Sequence, residues 1–196
     1  MNQYTPALIG LAGVIVGSAL TVSKDYWFTH RSETKSRRYL CIRVVSSLER
    51  FAENCVSFAD DEGERDEKGY LQPTVESPSF NPQSLNVDWE LLPPLLLYRT
   101  HDLPNKIQNA NQVIFAEWEY SASPPDYEEY FEAREVEFTE LALEAYDIAA
   151  AMRLHAELPA RDCSKWDPVE YLKKKQIAMR EKLTVRKKKF SELMGG

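Results

Sequence analysis

The sequence predicts an all-α fold in which an N-terminal transmembrane helix continues into an antiparallel helical bundle. Two observations support this prediction. An uncharged apolar run stands at the start of the chain, and apolar residues recur at alternating steps of three and four in the segments that follow. No segment shows the strict alternation that is typical of a half-buried strand.

Residues 1–23 are expected to form the membrane anchor. They contain no charged side chain, and at about 1.5 Å per residue the apolar run approaches the ~30 Å hydrocarbon core once the aromatic flank 26–28 is included. A cleaved signal peptide is the alternative, because the run is short. The absence of Lys and Arg from residues 1–6 favours a retained anchor. The predicted span comprises Ala7, Leu8, Ile9, Gly10, Leu11, Gly13, Val14, Ile15, Val16, Gly17, Leu20 and Val22.

Cations are concentrated directly after this run and set the expected orientation. Residues 24–43 carry six cations against two acids, and positive charge beside a span is retained on the cytoplasmic side. We therefore expect the N-terminus outside and the remaining domain in the cytoplasm. Cations at this position also attract anionic lipid headgroups, at about 1 kcal/mol each. The expected lipid-facing residues are Lys24, Arg31, Lys35, Arg37 and Arg38.

Gly13 and Gly17 form a GxxxG pattern, which lets two helix backbones approach closely. A homo-oligomer through this face is one hypothesis. A chance pattern is the other, since glycine is common in spanning helices.

Charge and cysteine content exclude several classes of function. The net charge is −7, with a basic segment at 24–43, an acidic segment at 44–167 and a basic segment at 168–196. An acidic middle opposes a broad nucleic-acid surface, which needs a basic face. Three cysteines without metal-type spacing are typical of a reducing compartment. Cys41 and Cys55 fall on one predicted helix, too far apart for a disulfide, and are expected in the core.

The chain after the anchor divides into three parts. Residues 24–60 are expected to form the juxtamembrane and first bundle helix, residues 61–87 a long polar loop rich in Pro, Ser and Asn, and residues 88–196 the remainder of the helical domain. In that remainder we predict two short helical pieces separated by Pro93-Pro94, followed by three helices. Four antiparallel helices would return the basic C-terminus to the membrane end of the bundle.

Local start signals position the three later helices. The first of them is expected at 104–120, with Asp102 as its cap. In the segment 123–126 Ser can cap, Pro can take the first turn and Asp the third position, which predicts a helix from there to about residue 157. Asp167 before Pro168 predicts the start of the last helix.

Three segments carry a family resemblance: Tyr39 to Val45, Ser123 to Phe131 and Trp166 to Glu170. They resemble a group of bacterial single-span membrane proteins that has no assigned activity. The resemblance implies a bacterial inner-membrane protein and nothing chemical.

Candidate catalytic chemistry is sparse. His101-Asp102 could hold a metal in a helical hydrolase, but the only upstream histidine is His30, and Asp102 as a helix cap explains the pair without metal. The acidic run after residue 60 fails the register of a calcium loop and is expected to be a solvated turn. Carboxylates along the helix at 126–157 are expected to face the basic C-terminal helix rather than bind metal. No catalytic, cofactor-binding or metal-binding residue is assigned.

The sequence therefore favours a membrane-anchored cytoplasmic helical domain that acts as an interaction or scaffold module. Its expected partners are anionic lipid and an unidentified protein, with no nucleic acid and no cofactor. Two alternatives stay open: a metal-dependent helical hydrolase that uses His101 and Asp102, and a phage-type envelope or lysis accessory protein with inverted topology.

Overall fold

The computed structural model describes the backbone of residues 5–194. The side chains of residues 5–23, 25–30, 183 and 187–194 lie outside that description. Within the described residues the fold is mostly helical, so the all-α prediction is confirmed at this level. The helices are α1 (Thr5–Ala59), α2 (Pro94–Tyr120), α3 (Glu128–His155) and α4 (Pro168–Met194).

Helix α3 is the centre of the bundle, and α1 and α2 run antiparallel to it. The rings of Phe58, near the end of α1, and Phe138, in the first half of α3, lie 4.4 Å apart. At the other end of α3, Arg38 donates from Nε to the carbonyl oxygen of Ala156 at 3.2 Å. The buried stripe of α3 also packs against α2. The core is thus built around one helix that contacts each of the others.

Helix α4 runs in the same direction as α1, and this contradicts the predicted return of the C-terminus. Near its start, Lys175 donates to the carbonyl oxygen of Ala59, at the end of α1, at 3.0 Å. Eleven residues later, Arg186 pairs with Glu132 in the first turns of α3. Because α3 is antiparallel to α1, the first turns of α3 lie at the C-terminal end of α1. The Arg186–Glu132 pair is therefore further from Arg38 than Ala59, the last residue of α1, is. The C-terminal helix therefore points away from the N-terminal end of the domain.

The reason for this error is that the connection between α1 and α2 travels back along the bundle. In this connection Phe80 packs on Phe51 of α1 with ring centroids 5.8 Å apart, and Trp89 then meets His101 of α2 at 4.7 Å. Helix α2 therefore runs in the same direction as α1, and only the later helices alternate. The connection between α3 and α4 also passes α1, where Arg161 reaches Glu53 at 3.2 Å, but α4 is still antiparallel to α3.

The predicted polar loop at 61–87 contains regular structure, and the expectation of no strand is wrong. Strands β1 (Glu64–Arg65) and β2 (Leu71–Gln72) form a short antiparallel hairpin. The N–H of Leu71 donates to the carbonyl oxygen of Pro125 at 2.9 Å, and Arg65 pairs with Asp126. The hairpin is therefore fastened to the turn that precedes α3. Two residues per strand give almost no periodic signal, which is why the sequence did not reveal it.

Two predicted helix starts are displaced. Helix α2 begins at Pro94 and continues through Pro104, so Asp102 lies inside the helix and accepts from Asn105 at 3.2 Å. Helix α3 begins at Glu128, after a turn at 124–126, and its N-cap Tyr127 has φ 49°. The Ser123 cap fails because Pro125 disfavours the helical conformation at the residue before it.

Two other local predictions are confirmed. The carboxylate of Asp167 accepts from the N–H groups of Val169 and Glu170 at 2.9 and 3.2 Å, which caps α4 as expected. Cys41 and Cys55 are buried free thiols in the core.

The membrane anchor itself is not tested by these observations. The predicted span, with Gly13 and Gly17, lies among the residues whose side chains are outside the description. Among the residues whose side chains are described, no helix is both long and apolar enough to cross a bilayer.

Candidate functional site

A large open cavity of the described bundle lies where α1 ends, α3 begins and the first half of α4 passes. We call it the distal groove, and its volume is about 950 Å³. Its acidic lining residues outnumber its basic ones. The lining comprises Ala59, Asp60, Asp61, Glu62, Leu71, Asp126, Glu128, Phe131, Glu132, Glu135, Tyr171, Lys175, Lys182 and Arg186.

A buried ion pair lies beside this groove and shares Asp61 with its lining. The side chains of Asp61 and Arg134 are 2% and 1% exposed, and Nη2 of Arg134 donates to Oδ2 of Asp61 at 2.7 Å. The same Nη2 also approaches the carbonyl oxygens of Val75 and Phe58 at 3.1 and 3.4 Å. A cation on α3 therefore binds together the end of α1 and the segment that follows the hairpin.

The carboxylate of Asp61 is saturated with donors. It accepts from the N–H of Gly63, from the N–H and hydroxyl of Thr74 and from the N–H of Val75, at 2.6 to 3.0 Å. Burial alone would raise the pKa of Asp61, but these hydrogen bonds outweigh it and hold the pKa well below its ordinary value. The expected solvated acidic turn is therefore wrong at this residue, because Asp61 organises the connection from inside.

Aromatic rings enclose the guanidinium of Arg134. Its Cζ lies 4.0 Å from the ring centroid of Phe58 and 5.3 and 5.4 Å from those of Phe131 and Tyr130. Contacts of this kind stabilise a cation that has been removed from water. The Nε and Nη1 atoms of Arg134 have no hydrogen-bond partner, so the ring faces and the acceptors of Nη2 together compensate the burial.

The walls of the groove are ion pairs between α4 and its neighbours. Lys175, 13% exposed at its side chain, contacts Asp60 at the end of α1 and Glu135 of α3, the latter at 3.2 Å. Arg186 pairs with Glu132. The expectation that the acidic helix faces the basic C-terminal one is confirmed for these pairs. They also fix the angle at which α4 leaves the bundle.

The groove has a charged lining. It contains no histidine, cysteine or serine, and its titratable side chains are carboxylates, two lysines, one arginine and one tyrosine. No cluster of three or more His, Cys, Asp or Glu among the described residues could hold a metal ion. What the groove presents is a charged, open concavity with Phe131 in its lining.

The structure places His101 and Asp102 in α2, away from the groove. The ring of His101 lies edge-on to Trp89, at a centroid distance of 4.7 Å. Asp102 interacts with Asn105 and, at 3.9 Å, with Lys106. The pair contributes to packing and to helix surface charge, and no third potential metal ligand joins it within the described part of the chain.

The predicted lipid-facing cations lie on the N-terminal half of α1. Lys24, Arg31 and Lys35 are exposed, and Arg37 is half-buried. Arg38 is committed to the bundle, because its Nη2 binds Glu157 at 2.7 Å beside its contact with Ala156. A cation at the C-terminal end of α3 also compensates the negative end of that helix.

The sequence interpretation missed Arg134, although a signal for it exists. Arg134 stands three residues after Phe131 and four before Phe138, so helical spacing places it on the same stripe as these two apolar residues. A lone cation on an apolar stripe, in a helix otherwise rich in acids, indicates a buried ion pair. Its partner Asp61 could not be identified, because the hairpin that brings it there was not predicted.

No protein-family model, no curated protein and no solved structure matches this chain.

Proposed function

We propose that this protein is a membrane-anchored interaction module that binds a protein partner in the distal groove. The observation that carries the proposal is the continuity of α1, one helix of 55 residues from Thr5 to Ala59. One end of this helix holds the apolar run of the sequence, and the other end forms a wall of the groove.

A continuous helix acts as a spacer between anchor and groove. At about 1.5 Å per residue, the stretch from Lys24 to Ala59 spans about 50 Å. The direction of α4 adds to this separation, because its basic end points away from residue 24. On this proposal the cations at 24–37 contact anionic lipid headgroups, and the distal groove is accessible to a partner in the cytoplasm.

The charge of the groove selects the kind of partner. Acidic side chains exceed basic ones in its lining, and complementary potentials favour a partner segment with excess positive charge. Phe131 offers an apolar contact in the lining, and aromatic residues are enriched in protein interfaces. The proposed partner is therefore a protein with a basic segment that carries an apolar side chain.

Anchoring and orientation are tested by fractionation and fusion. We expect the full chain in the membrane fraction after an alkaline wash, and a chain lacking residues 1–23 in the supernatant. A C-terminal fluorescent protein should be active and a C-terminal alkaline phosphatase inactive. The reverse pair of fusion activities would support the envelope or lysis alternative, and a washed-off full chain would refute the anchor.

Partner binding is tested by photo-cross-linking in cells. A photoreactive residue at Lys182, in the groove, should give a discrete adduct, whereas one at the exposed Glu90 should not. Glu128→Lys should abolish the adduct, with Glu90→Lys as the matched charge control. An adduct at both positions, or one that survives Glu128→Lys, would contradict the proposed surface.

A further inference from the structure

The cations and the acids that line the distal groove belong to different parts of the chain. All three cations, Lys175, Lys182 and Arg186, are on α4. The seven acids lie in the segment 60–62, directly after α1, and in the segment 126–135, which includes the first turns of α3. The groove is therefore an acidic surface of α1 and α3 along which a basic helix of the same chain lies. Helix α4 occupies the position that a basic ligand would take.

The first half of α4 is anchored by buried side chains. Leu172 is completely buried and Met179 is 6% exposed. Between them, Lys175 contacts both Asp60 and Glu135, and only 13% of its side chain is exposed. This half of the helix is therefore an integral part of the bundle.

The outer turns of α4, residues 180–194, are attached differently, and we call them the strap. Every side chain described between 180 and 186 is exposed, and among these only Arg186 makes an ion pair with α3. The side chains of that pair, Arg186 and Glu132, are 57% and 23% exposed. A pair of this exposure shifts an equilibrium by about fivefold or less. The described part of the strap is therefore held only weakly against α3.

We propose that the strap is an autoinhibitory contact, which covers the distal groove in the free protein and leaves it when a basic partner segment binds. The inference rests on the proposed function, because it concerns the regulation of the same site. A basic partner and the strap carry charge of the same sign and contact the same acids, so they compete. Without the strap, Lys175 is the one cation in the described lining against seven acids, which increases the attraction for a cationic segment.

The strap stays tethered to the groove when it leaves. Lys182 follows Met179 by three residues, which is less than one helical turn, so Lys182 remains at the edge of the groove with either occupant. Val185 is exposed and lies in the part of α4 that moves, whereas Ile177 is exposed and lies in the anchored half. Labels at these two positions therefore distinguish movement of the strap from movement of the whole helix.

Covalent locking of the strap tests the competition. In the full chain in non-ionic detergent, Cys163→Ser removes the exposed thiol, and Glu132→Cys and Arg186→Cys are joined by a bismaleimide in place of their ion pair. The matched control is the same chain with both introduced cysteines capped by N-ethylmaleimide. The probe is a fluorescent oligolysine peptide with one central phenylalanine, and its binding is measured by anisotropy. The locked chain should bind the peptide at least about tenfold more weakly than the capped chain, because the binding-competent state is no longer accessible.

Spin labels test the displacement itself. In the Cys163→Ser chain, one label at Leu154→Cys, at the far end of α3, is combined with a second label at Val185→Cys or at Ile177→Cys. Addition of the peptide should shift or broaden the distance distribution from Leu154 to Val185. The distribution from Leu154 to Ile177 should stay unchanged, because Leu172 and Met179 remain buried on either side of Ile177.

The outcomes separate this inference from the proposed function. Equal peptide binding by the locked and capped chains, or an unchanged distance to Val185 at saturating peptide, would overturn the strap and leave the groove as a binding site. An equal shift at Ile177 would overturn the division of α4 into an anchored half and a strap. Absence of peptide binding by the unaltered, capped and locked chains alike would overturn the proposed function, and the strap with it.

Discussion

At the scale of single residues, the described structure depends on Asp61 and Arg134. This pair joins the end of α1, the segment after the hairpin and α3, and nearly all of both side chains is buried. Most other ion pairs of the bundle are partly exposed, as Arg65 and Asp126 are at 55% and 47%. Exposed pairs contribute about 0–1 kcal/mol, whereas removal of one partner from a buried pair costs about 3–5 kcal/mol.

Arg134→Met is therefore expected to lower the free energy of unfolding by about 3–5 kcal/mol, because it leaves the Asp61 carboxylate buried without a cation. The matched control Arg65→Met should cost less than about 1 kcal/mol. Urea unfolding of the two variants measures the difference. Similar costs for both would show that the buried pair has no special role.

Asp61 also predicts an acid sensitivity. Because its folded-state pKa is lowered below the ordinary 3.8, its carboxylate stabilises the folded state at neutral pH, and that stability is lost as the pH falls below about 4. The unfolding free energy of the unaltered chain should fall between about pH 4 and pH 2 more steeply than that of Asp61→Asn. Parallel pH curves for the two proteins would refute this assignment.

At the scale of elements, the hairpin depends on a glycine in close contact with its surroundings. Gly63 has φ +71°, and a Cβ there would lie 2.7 Å from the carbonyl oxygen of Gln72 and 2.8 Å from Cζ of Phe131. Gly69, at the hairpin turn, has φ +84° but open space around it. Substitutions at the two glycines therefore separate the cost of the backbone conformation from the cost of steric contact.

Gly63→Ala should cost about 2–5 kcal/mol, from the left-handed conformation and from overpacking together. Gly69→Ala should cost only the conformational part, about 1–2 kcal/mol. Thermal unfolding of both variants tests this difference. A Gly69→Ala variant as unstable as Gly63→Ala would contradict the close packing of Gly63 on α3.

Prediction from sequence succeeded where a signal was periodic or local. Cys41 and Cys55 lie in the core of α1 as predicted, and Asp167 before Pro168 predicted the start of α4. Prediction failed where long-range contacts determine the structure. Nothing in the sequence around Asp61 indicates that its partner is Arg134, which is 73 residues away. The distal groove was therefore not predictable from the sequence.

At the scale of the whole molecule, the directions of α1 and α4 determine which surfaces can face a bilayer. Tyr39 lies on α1 about 22 Å from Lys24 at the rise of an α-helix. Val185 lies on α4, beyond the level at which Lys175 contacts the end of α1. Both side chains are more than half exposed, at 56% and 54%. The two positions therefore report on opposite ends of the domain.

Energy transfer from these two positions to a lipid-bound acceptor, after reconstitution into vesicles, tests the account most directly. The chain carries Cys163→Ser and one dye, introduced by Tyr39→Cys or Val185→Cys. We predict strong transfer from position 39 and weak transfer from position 185, because the domain is held at its N-terminal end with its C-terminal helix directed away. Equal transfer from both positions, or none from either, would contradict a membrane-anchored module with a distal binding groove.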